Sequence, residues 1–291
     1  SAYLIWGLLL IYWKWLENVR PVIVLSHRII WSFIFMVFFI LITRKTKQFF
    51  IQCKEIMKSK KTMFAIIAAS IIISVNWLIF IWAVQNDRVV ESSLGYYINP
   101  LMNVLLGVFV LKERLSKAQI TSFVLAGVGV TYLTISYGVF PWVSLALAST
   151  FAIYGLVKKL VNLNAAFSLT LETLIITPIT VIFLIYVAGF DLGFANETAT
   201  TNLLLVLCGV ATAVPLLLFG IAVLHIPLSL VGFLQYISPT IMLFIGVFLY
   251  GEDFTTAHFI TFTLIWISLI LFMTSSIKQN KKAYKEEKDV V

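Results

Sequence analysis

The sequence predicts an all-α integral membrane protein with ten transmembrane helices, arranged as two inverted five-helix repeats. Three observations predict this class: the apolar composition, ten long hydrophobic runs, and a sequence motif that occurs twice. Of the 291 residues, 61% are hydrophobic and only 12% are charged, and the mean hydropathy is +1.01. A typical soluble domain carries about 25% charged residues, so the composition excludes a soluble globular protein.

The hydrophobic runs are continuous and have lengths near the roughly 17 to 25 residues that a membrane-spanning helix requires. They cover residues 2–16, 22–43, 62–84, 91–111, 119–137, 141–157, 166–188, 202–224, 228–250 and 256–276. The first and the sixth are the shortest. None shows the in-and-out alternation of barrel strands, and lipid offers unpaired backbone groups no partner. We therefore expect every run to be a helix.

The distribution of positive charge predicts the orientation of these helices. With the N-terminus placed inside, 17 of the 21 Lys and Arg residues fall in inner loops or in the tail at 278–291. This bias predicts that both termini lie in the cytoplasm. The net charge of +8 does not indicate nucleic-acid binding, because the basic segment 44–61 has only Phe49 and Phe50 as aromatic residues that could stack on bases.

The repeated motif reads "YINPLMNVLLGVFVLKE" at residues 97–113 and "YISPTIMLFIGVFLYGE" at residues 236–252. A weaker match links "IWGLL", which begins at residue 5, to "IYGLV", which begins at residue 153. The two halves are therefore predicted to cover residues 1–137 and 138–277, followed by the basic cytoplasmic tail. Because each half holds five spans, an odd number, the second half must enter the membrane from the opposite face.

Inverted repeats are typical of secondary transporters, whose substrate site lies near the membrane midplane between the repeats. The repeated motif places a polar residue beside a proline in each half. We predict that Asn99 and Ser238 bind the substrate and approach each other across the pseudo-twofold axis. Pro100 and Pro239 are predicted hinges, because proline removes a backbone hydrogen bond from its helix.

Two charged residues lie inside predicted spans. Arg28 and Glu172 each fall about six residues into a span, at matching places in opposite halves. A charge at membrane depth costs about 2.5–3.5 kcal/mol and usually faces a cavity or a partner. We predict that Arg28 binds an anionic group of the substrate and that Glu172 is a proton relay or gating residue. Snorkelling of Arg28 to the surface and a structural hydrogen bond of Glu172 are the alternatives.

The remaining candidates are weaker. The predicted substrate-binding residues also include Lys14, Asn76, Trp77, Tyr97 and Tyr236, and Glu91 is a second predicted relay or gating residue. Each has a structural alternative: an interfacial anchor for the lysine, a helix–helix hydrogen bond for the asparagine, helix packing for the aromatic rings, and a helix-dipole interaction for Glu91. The two cysteines and three histidines lie far apart in the sequence, so we expect no metal site and no cofactor.

Several stretches resemble the RarD group of EamA-type permeases, in the drug/metabolite transporter superfamily. They include "YLIWGLLLIYWK", "LSHRIIWS", "LTLETL" and, most specifically, residues 76–116. The resemblance implies ten helices in two inverted halves, an inner-membrane location, and export or exchange of small metabolites. One departure is Leu10, where the family usually has proline.

Three classes of membrane protein are compatible with a chain of many apolar spans. A secondary carrier with alternating access is predicted, with an amino-acid-like or drug-like small molecule as substrate and with proton coupling left open. A membrane-embedded enzyme is disfavoured because the sequence has no HExxH or GxSxG motif, and a channel is the third choice. Lipid is the expected surrounding, ATP coupling is not expected without a Walker motif, and the oligomeric state is not predicted.

Overall fold

The computed structural model describes residues 2–86, 88–138, 140–194, 198–251 and 254–289; side chains at 81, 84, 85, 89–93 and 280–289 lie outside the description. All regular secondary structure in these ranges is helical. The helices are α1 (Ala2–Lys14), α2 (Pro21–Ile42), α3 (Thr46–Lys58), α4 (Lys60–Gln85), α5 (Val89–Phe109), α6 (Lys117–Tyr137), α7 (Trp142–Val161), α8 (Ala165–Ala188), α9 (Ala199–His225), α10 (Leu228–Gln235), α11 (Ile237–Tyr250) and α12 (Thr256–Asp289).

The helices confirm an all-α, multi-pass membrane protein. Within the described residues, eight helical segments are long and apolar enough to cross a bilayer, and α10 and α11 together count as one of them. Two further apolar segments are shorter, Ala2–Lys14 and Leu94–Phe109. The count of ten spans depends on these two and stays a prediction.

The segment 44–61 was expected to be a loop, but residues Thr46–Lys58 form helix α3. Its apolar residues recur at helical spacing, and Phe49 and Ile56 turn towards the other helices, where Phe49 packs on Phe167. This packing stabilises a helix that is too short and too charged to cross the membrane. Helix α12 continues beyond the last predicted span and into the basic tail, as far as Asp289.

The prolines of the repeated motif act differently in the two halves. Helix α5 runs through Pro100 without interruption. The ninth predicted span is divided at Tyr236, and Pro239 lies in the first turn of α11, where its missing N–H leaves no helical hydrogen bond unmade. Helix α1 is likewise continuous through Leu10.

Contacts between the two halves of the chain follow a reciprocal pattern. Helices α1, α2, α4, α5 and α6 correspond in order to α7, α8, α9, α10–α11 and α12. The contact of α5 with α7 has its equivalent in the contact of α11 with α1. In the same way, α2 with α9 corresponds to α8 with α4, and α4 with α7 corresponds to α9 with α1. Helices α2 and α8, α5 and α10, and α6 and α12 contact their own counterparts. Every contact in this set therefore has an equivalent with the halves exchanged.

Candidate functional site

Arg28 lies in the second turn of α2 and faces three other helices. Its Nε donates a hydrogen bond to Thr212 Oγ1 of α9 at 3.1 Å. Its guanidinium carbon lies 4.6 Å from the ring centroid of Trp13 and 5.9 Å from that of Trp77. Indole faces attract a guanidinium group by cation–π interaction, so both aromatic rings stabilise the charge of Arg28.

The backbone crossing of α2 and α9 sets the position of Arg28. Ser32, one turn after Arg28, donates a hydrogen bond to the Gly209 carbonyl at 3.1 Å. A Cβ atom at Gly209 would collide with the backbone carbonyl of Trp31, so only glycine permits this approach. Thr212 follows Gly209 by about one turn and therefore reaches Arg28.

The outer edge of the Arg28 guanidinium group has no acceptor in the described part of the protein. The hydrogen bond to Thr212 uses only Nε, and no described residue accepts one from either Nη atom. The side chain is half-buried. A guanidinium fork binds carboxylate or phosphate oxygens in a bidentate manner, so the free edge suits an anionic ligand.

Glu172 of α8 lies in a second polar cluster. Its Oε1 is 2.7 Å from Nζ of Lys158 and accepts a hydrogen bond from Ser168 Oγ at 2.5 Å. Its Oε2 accepts a hydrogen bond from the Tyr154 hydroxyl at 2.7 Å. The side chains of Lys158 and Glu172 are only 4% and 3% exposed, which makes this a buried ion pair with hydroxyl support.

The short connection between α7 and α8 aligns this cluster. Asn162 ends α7 in a left-handed conformation, and the Asn164 side chain caps the first backbone N–H groups of α8. Tyr154 and Lys158 are spaced by four residues on α7, as Ser168 and Glu172 are on α8. Residues four apart lie on the same side of a helix. Tyr154 and Lys158 on α7 can therefore both contact Glu172 on α8.

A small cavity, with room for about one water molecule, lies beside Glu172, between helices α2, α4, α7, α8 and α9. Trp77 and Glu172 both line it, and the same Trp77 ring contacts Arg28. The remaining lining residues are Ile29, Ile73, Tyr154, Leu169, Thr173, Ile176 and Leu216. Two of the predicted site residues therefore line one small, largely apolar cavity, and Trp77 connects it to Arg28, which does not line it.

The asparagines of the repeated motif lie elsewhere, where α5 crosses α10. Asn103 Nδ2 donates hydrogen bonds to Asn99 Oδ1 at 3.3 Å and to Gln235 Oε1 at 3.0 Å. Asn103 Oδ1 is buried and has no hydrogen-bond partner among the described residues. Ser238 is buried in α11. The described hydrogen bond between α5 and α10 joins Asn103 to Gln235. The approach of Asn99 to Ser238 therefore stays a prediction.

Asn76 and Tyr97 make contacts typical of helix packing. The Asn76 side chain donates to the Leu147 carbonyl and to Thr150 Oγ1 of α7, both at 2.8 Å. The Tyr97 ring stands edge-on to Phe262 of α12 at 5.6 Å. These contacts fit the structural alternatives given for the two residues.

Two other candidates, Lys14 and Tyr236, also lie apart from the cavity lining. Lys14 forms an ion pair with Glu17, and both side chains are half-exposed. Tyr236 is buried, and its hydroxyl group has no hydrogen-bond partner in the described part of the protein. The side chain of Glu91 lies outside the described residues.

Comparison with known proteins identifies the family. A model of the EamA-like transporter family matches residues 1–135. The uncharacterized transporter YojE of Bacillus subtilis is 44% identical over 95% of this chain and 92% of its own length. Protein RarD of Escherichia coli is 37% identical over 98% of this chain and 95% of its own. The chain belongs to the RarD group of EamA-type permeases.

The fold of this permease is shared beyond these relatives. A crystal structure matches 93% of the permease and 94% of its own chain, with a TM-score of 0.71 at 15% sequence identity. At that identity the match shows the fold alone. The relatives and the family description make the permease a membrane transporter.

Sequence reasoning missed two charged residues that join helices of this EamA-type permease. Glu113 accepts hydrogen bonds from the backbone N–H groups of Leu228 at 2.6 Å and Ser229 at 3.0 Å, at the start of α10. Lys159 donates to the backbone carbonyls of Val223 and Ile226, at the end of α9. The repeated motif has a glutamate at the same place in both copies, Glu113 and Glu252. This repetition marks Glu113 as a candidate, but it does not show which helix end the carboxylate contacts.

Lys158 was misassigned. The charge distribution placed it with the exposed lysines of the inner loops, whereas the structure buries it. The signal was its helical spacing from Tyr154 and the presence of Glu172 on the next span.

Proposed function

We propose that this permease is a secondary carrier that moves a small metabolite with an anionic group, such as an amino-acid-like molecule, by alternating access. The observation that carries this proposal is Arg28, whose charge lies within a span and near two indole rings while its Nη atoms lack an acceptor among the described residues. Retaining such a charge inside a membrane protein is costly. A substrate carboxylate or phosphate bound at the free edge offsets that cost.

The reciprocal helix contacts support the inverted-repeat part of the proposal. Exchange of the two halves maps the contact of α5 with α7 onto that of α1 with α11, and the contact of α2 with α9 onto that of α4 with α8. A pseudo-twofold axis between residues 1–137 and 138–277 produces such pairs. Alternating access then follows from rocking of the halves around a central site.

We assign Glu172 a gating role within this carrier. Its ion pair with Lys158 joins α7 to α8 beside the cavity. Motion of either helix would have to separate two buried charges unless substrate or a proton replaces the lost partner. Substrate entry and gate opening are coupled in this way, and proton exchange at Glu172 provides a route to proton coupling.

Ligand-dependent thermal stability of the purified permease tests the anionic site. We expect amino acids to raise the unfolding temperature, and the decarboxylated amines with the same side chains to have no effect. Arg28→Gln should abolish the shift, and Arg28→Lys should recover little of it because lysine lacks the guanidinium fork. Arg20→Gln is the control, since Arg20 is exposed.

Equal stabilisation by amines and amino acids would contradict the anionic site. Active variants should also exchange a stabilising amino acid across liposome membranes without converting it to another compound. Chemical conversion of the amino acid would favour the enzyme alternative, and ionic conductance would favour the channel.

A further inference from the structure

Helix α3 has an apolar face that no described part of the protein covers. One side packs on the bundle through buried Ile56 and through Phe49, whose ring stands 5.6 Å from that of Phe167. Phe50 and Met57 turn away from this contact and are 61% and 66% exposed. They are seven residues apart, so they lie in one row along the helix.

A row of lysines runs beside this exposed apolar row. Lys47, Lys54 and Lys58 are all exposed. At 3.6 residues per turn they fall within about 40° of one another around the helix axis. On the same basis, the nearest of them lies about 40° from Phe50. The exposed surface therefore has an apolar stripe bordered by a basic stripe.

The flanking spans place α3 at the membrane boundary. Helix α2 ends with Ile42, which is 78% exposed, shortly before α3 begins. Helix α4 begins two residues after α3 ends, and its Phe64 is 73% exposed. Exposed apolar side chains at the ends of spans face lipid, so the apolar stripe of α3 lies near the level of the acyl chains.

We infer that α3 lies along the membrane interface, with Phe50 and Met57 in the acyl region, and that Lys47, Lys54 and Lys58 bind anionic phospholipid headgroups. An amphipathic helix with a basic polar face binds a lipid surface in this orientation. A row of three lysines attracts lipids with net negative charge more than zwitterionic lipids. This lipid site is separate from the carrier site at Arg28 and does not depend on the proposed substrate.

Spin labels measure the depth of α3 in lipid bilayers. The full chain carries Cys53→Ser, whereas Cys208 is fully buried and stays in place. A label at Phe50→Cys or Met57→Cys should be accessible to oxygen, and a label at Glu55→Cys should be accessible to a water-soluble nickel complex. Equal nickel accessibility at all three positions overturns the inference. Spin–spin broadening at Phe50→Cys would show that a second copy, rather than lipid, covers this face, and would also overturn it.

Thermal unfolding in detergent tests the choice of lipid. We expect phosphatidylglycerol, but not phosphatidylcholine, to raise the unfolding temperature of the wild-type permease. The triple variant Lys47→Gln, Lys54→Gln, Lys58→Gln should need at least about tenfold more phosphatidylglycerol for half of the effect. The control variant Arg114→Gln, Lys117→Gln, Lys278→Gln removes the same charge from exposed positions outside α3 and should behave as the wild type. Equal lipid responses in the two triple variants overturn the inference, because general charge would then account for the binding.

Discussion

At the scale of single residues, the polar groups that matter most are those that apolar helices bury together. Arg28 is held by an uncharged threonine and two indole rings, whereas Glu172 has a charged partner and two hydroxyl donors. The first arrangement leaves hydrogen-bonding capacity for a ligand. The second satisfies the carboxylate within the protein. Arg28 and Glu172 therefore have different environments, although they lie at similar distances from the starts of their spans.

The buried ion pair gives a prediction about stability. Glu172→Gln leaves the Lys158 charge buried without its partner, and we expect it to lower the free energy of unfolding by about 3 kcal/mol. The double variant Lys158→Met, Glu172→Gln removes both charges and should recover most of that loss. Thermal or denaturant unfolding of the purified variants provides the measurement.

An exposed pair provides the matched control. The double variant Lys14→Met, Glu17→Gln removes an ion pair whose side chains are each 51% exposed, so it should change stability little. A Glu172→Gln variant that is as stable as this control would show that the buried pair is not coupled to folding. Transport measured on the stable Lys158→Met, Glu172→Gln variant then reports the gating role separately.

The sequence revealed the buried Glu172 but not its partner. Arg28 and Glu172 were found because each interrupts an apolar run. Lys158 escaped because it lies near a span end, where lysine is common and usually exposed. Its burial depends on Glu172 of α8 and on Gly220 of α9, against which the lysine stem lies, and hydropathy does not encode these contacts. The hydrogen bond of Asn103 could not be predicted for a similar reason, because its partner Gln235 lies 132 positions away in the chain.

At the scale of helices, hydropathy predicted the long spans and missed features that depend on packing. The charged segment 44–61 gave no span signal, although its helix follows from the apolar spacing that includes Phe49 and Ile56. The break at Tyr236 lies inside an uninterrupted apolar run. Such a run shows that lipid or protein surrounds the segment, but it does not show where the helix axis changes.

The crossing of α2 and α9 gives a prediction at this scale. Gly209→Ala should force these helices apart, because its added Cβ would collide with the Trp31 backbone carbonyl. We expect a lower unfolding temperature and, since Arg28 would move away from Thr212, loss of amino-acid stabilisation. Gly127→Ala is the control, because nothing lies within 4 Å of the added Cβ. Equal stability of the two variants would contradict the tight crossing.

At the scale of the whole molecule, the carrier proposal depends on how many times the chain crosses the membrane. Two halves with five spans each are inverted, whereas two halves with an even number are not. Helix α5 is the critical element in the first half, since the part of it whose side chains are described, Leu94–Phe109, is shorter than a typical span. The contacts of α5 favour a full crossing, because α5 packs on α7 and also on α10, its counterpart in the second half.

Single cysteines introduced into a Cys53→Ser background test this topology. Burial raises the pKa of the Cys53 thiol above its ordinary value, which slows its reaction, and the serine removes the remaining background. With an impermeant thiol reagent added to intact cells, Asp191→Cys should react, whereas Glu55→Cys, Lys117→Cys and Lys278→Cys should react only after permeabilisation. All four positions are exposed in the structure.

The pair Glu55→Cys and Lys117→Cys decides whether α5 crosses. These positions are separated by α4 and α5, so two crossings return the chain to the same side and one crossing does not. We expect both cysteines to be protected in intact cells, because the basic segments around them favour the cytoplasm. If Lys117→Cys reacted from outside while Glu55→Cys stayed protected, α5 would not span the membrane. The first half would then contain four crossings, and the inverted-repeat carrier would have to be abandoned even if Arg28 bound an anion.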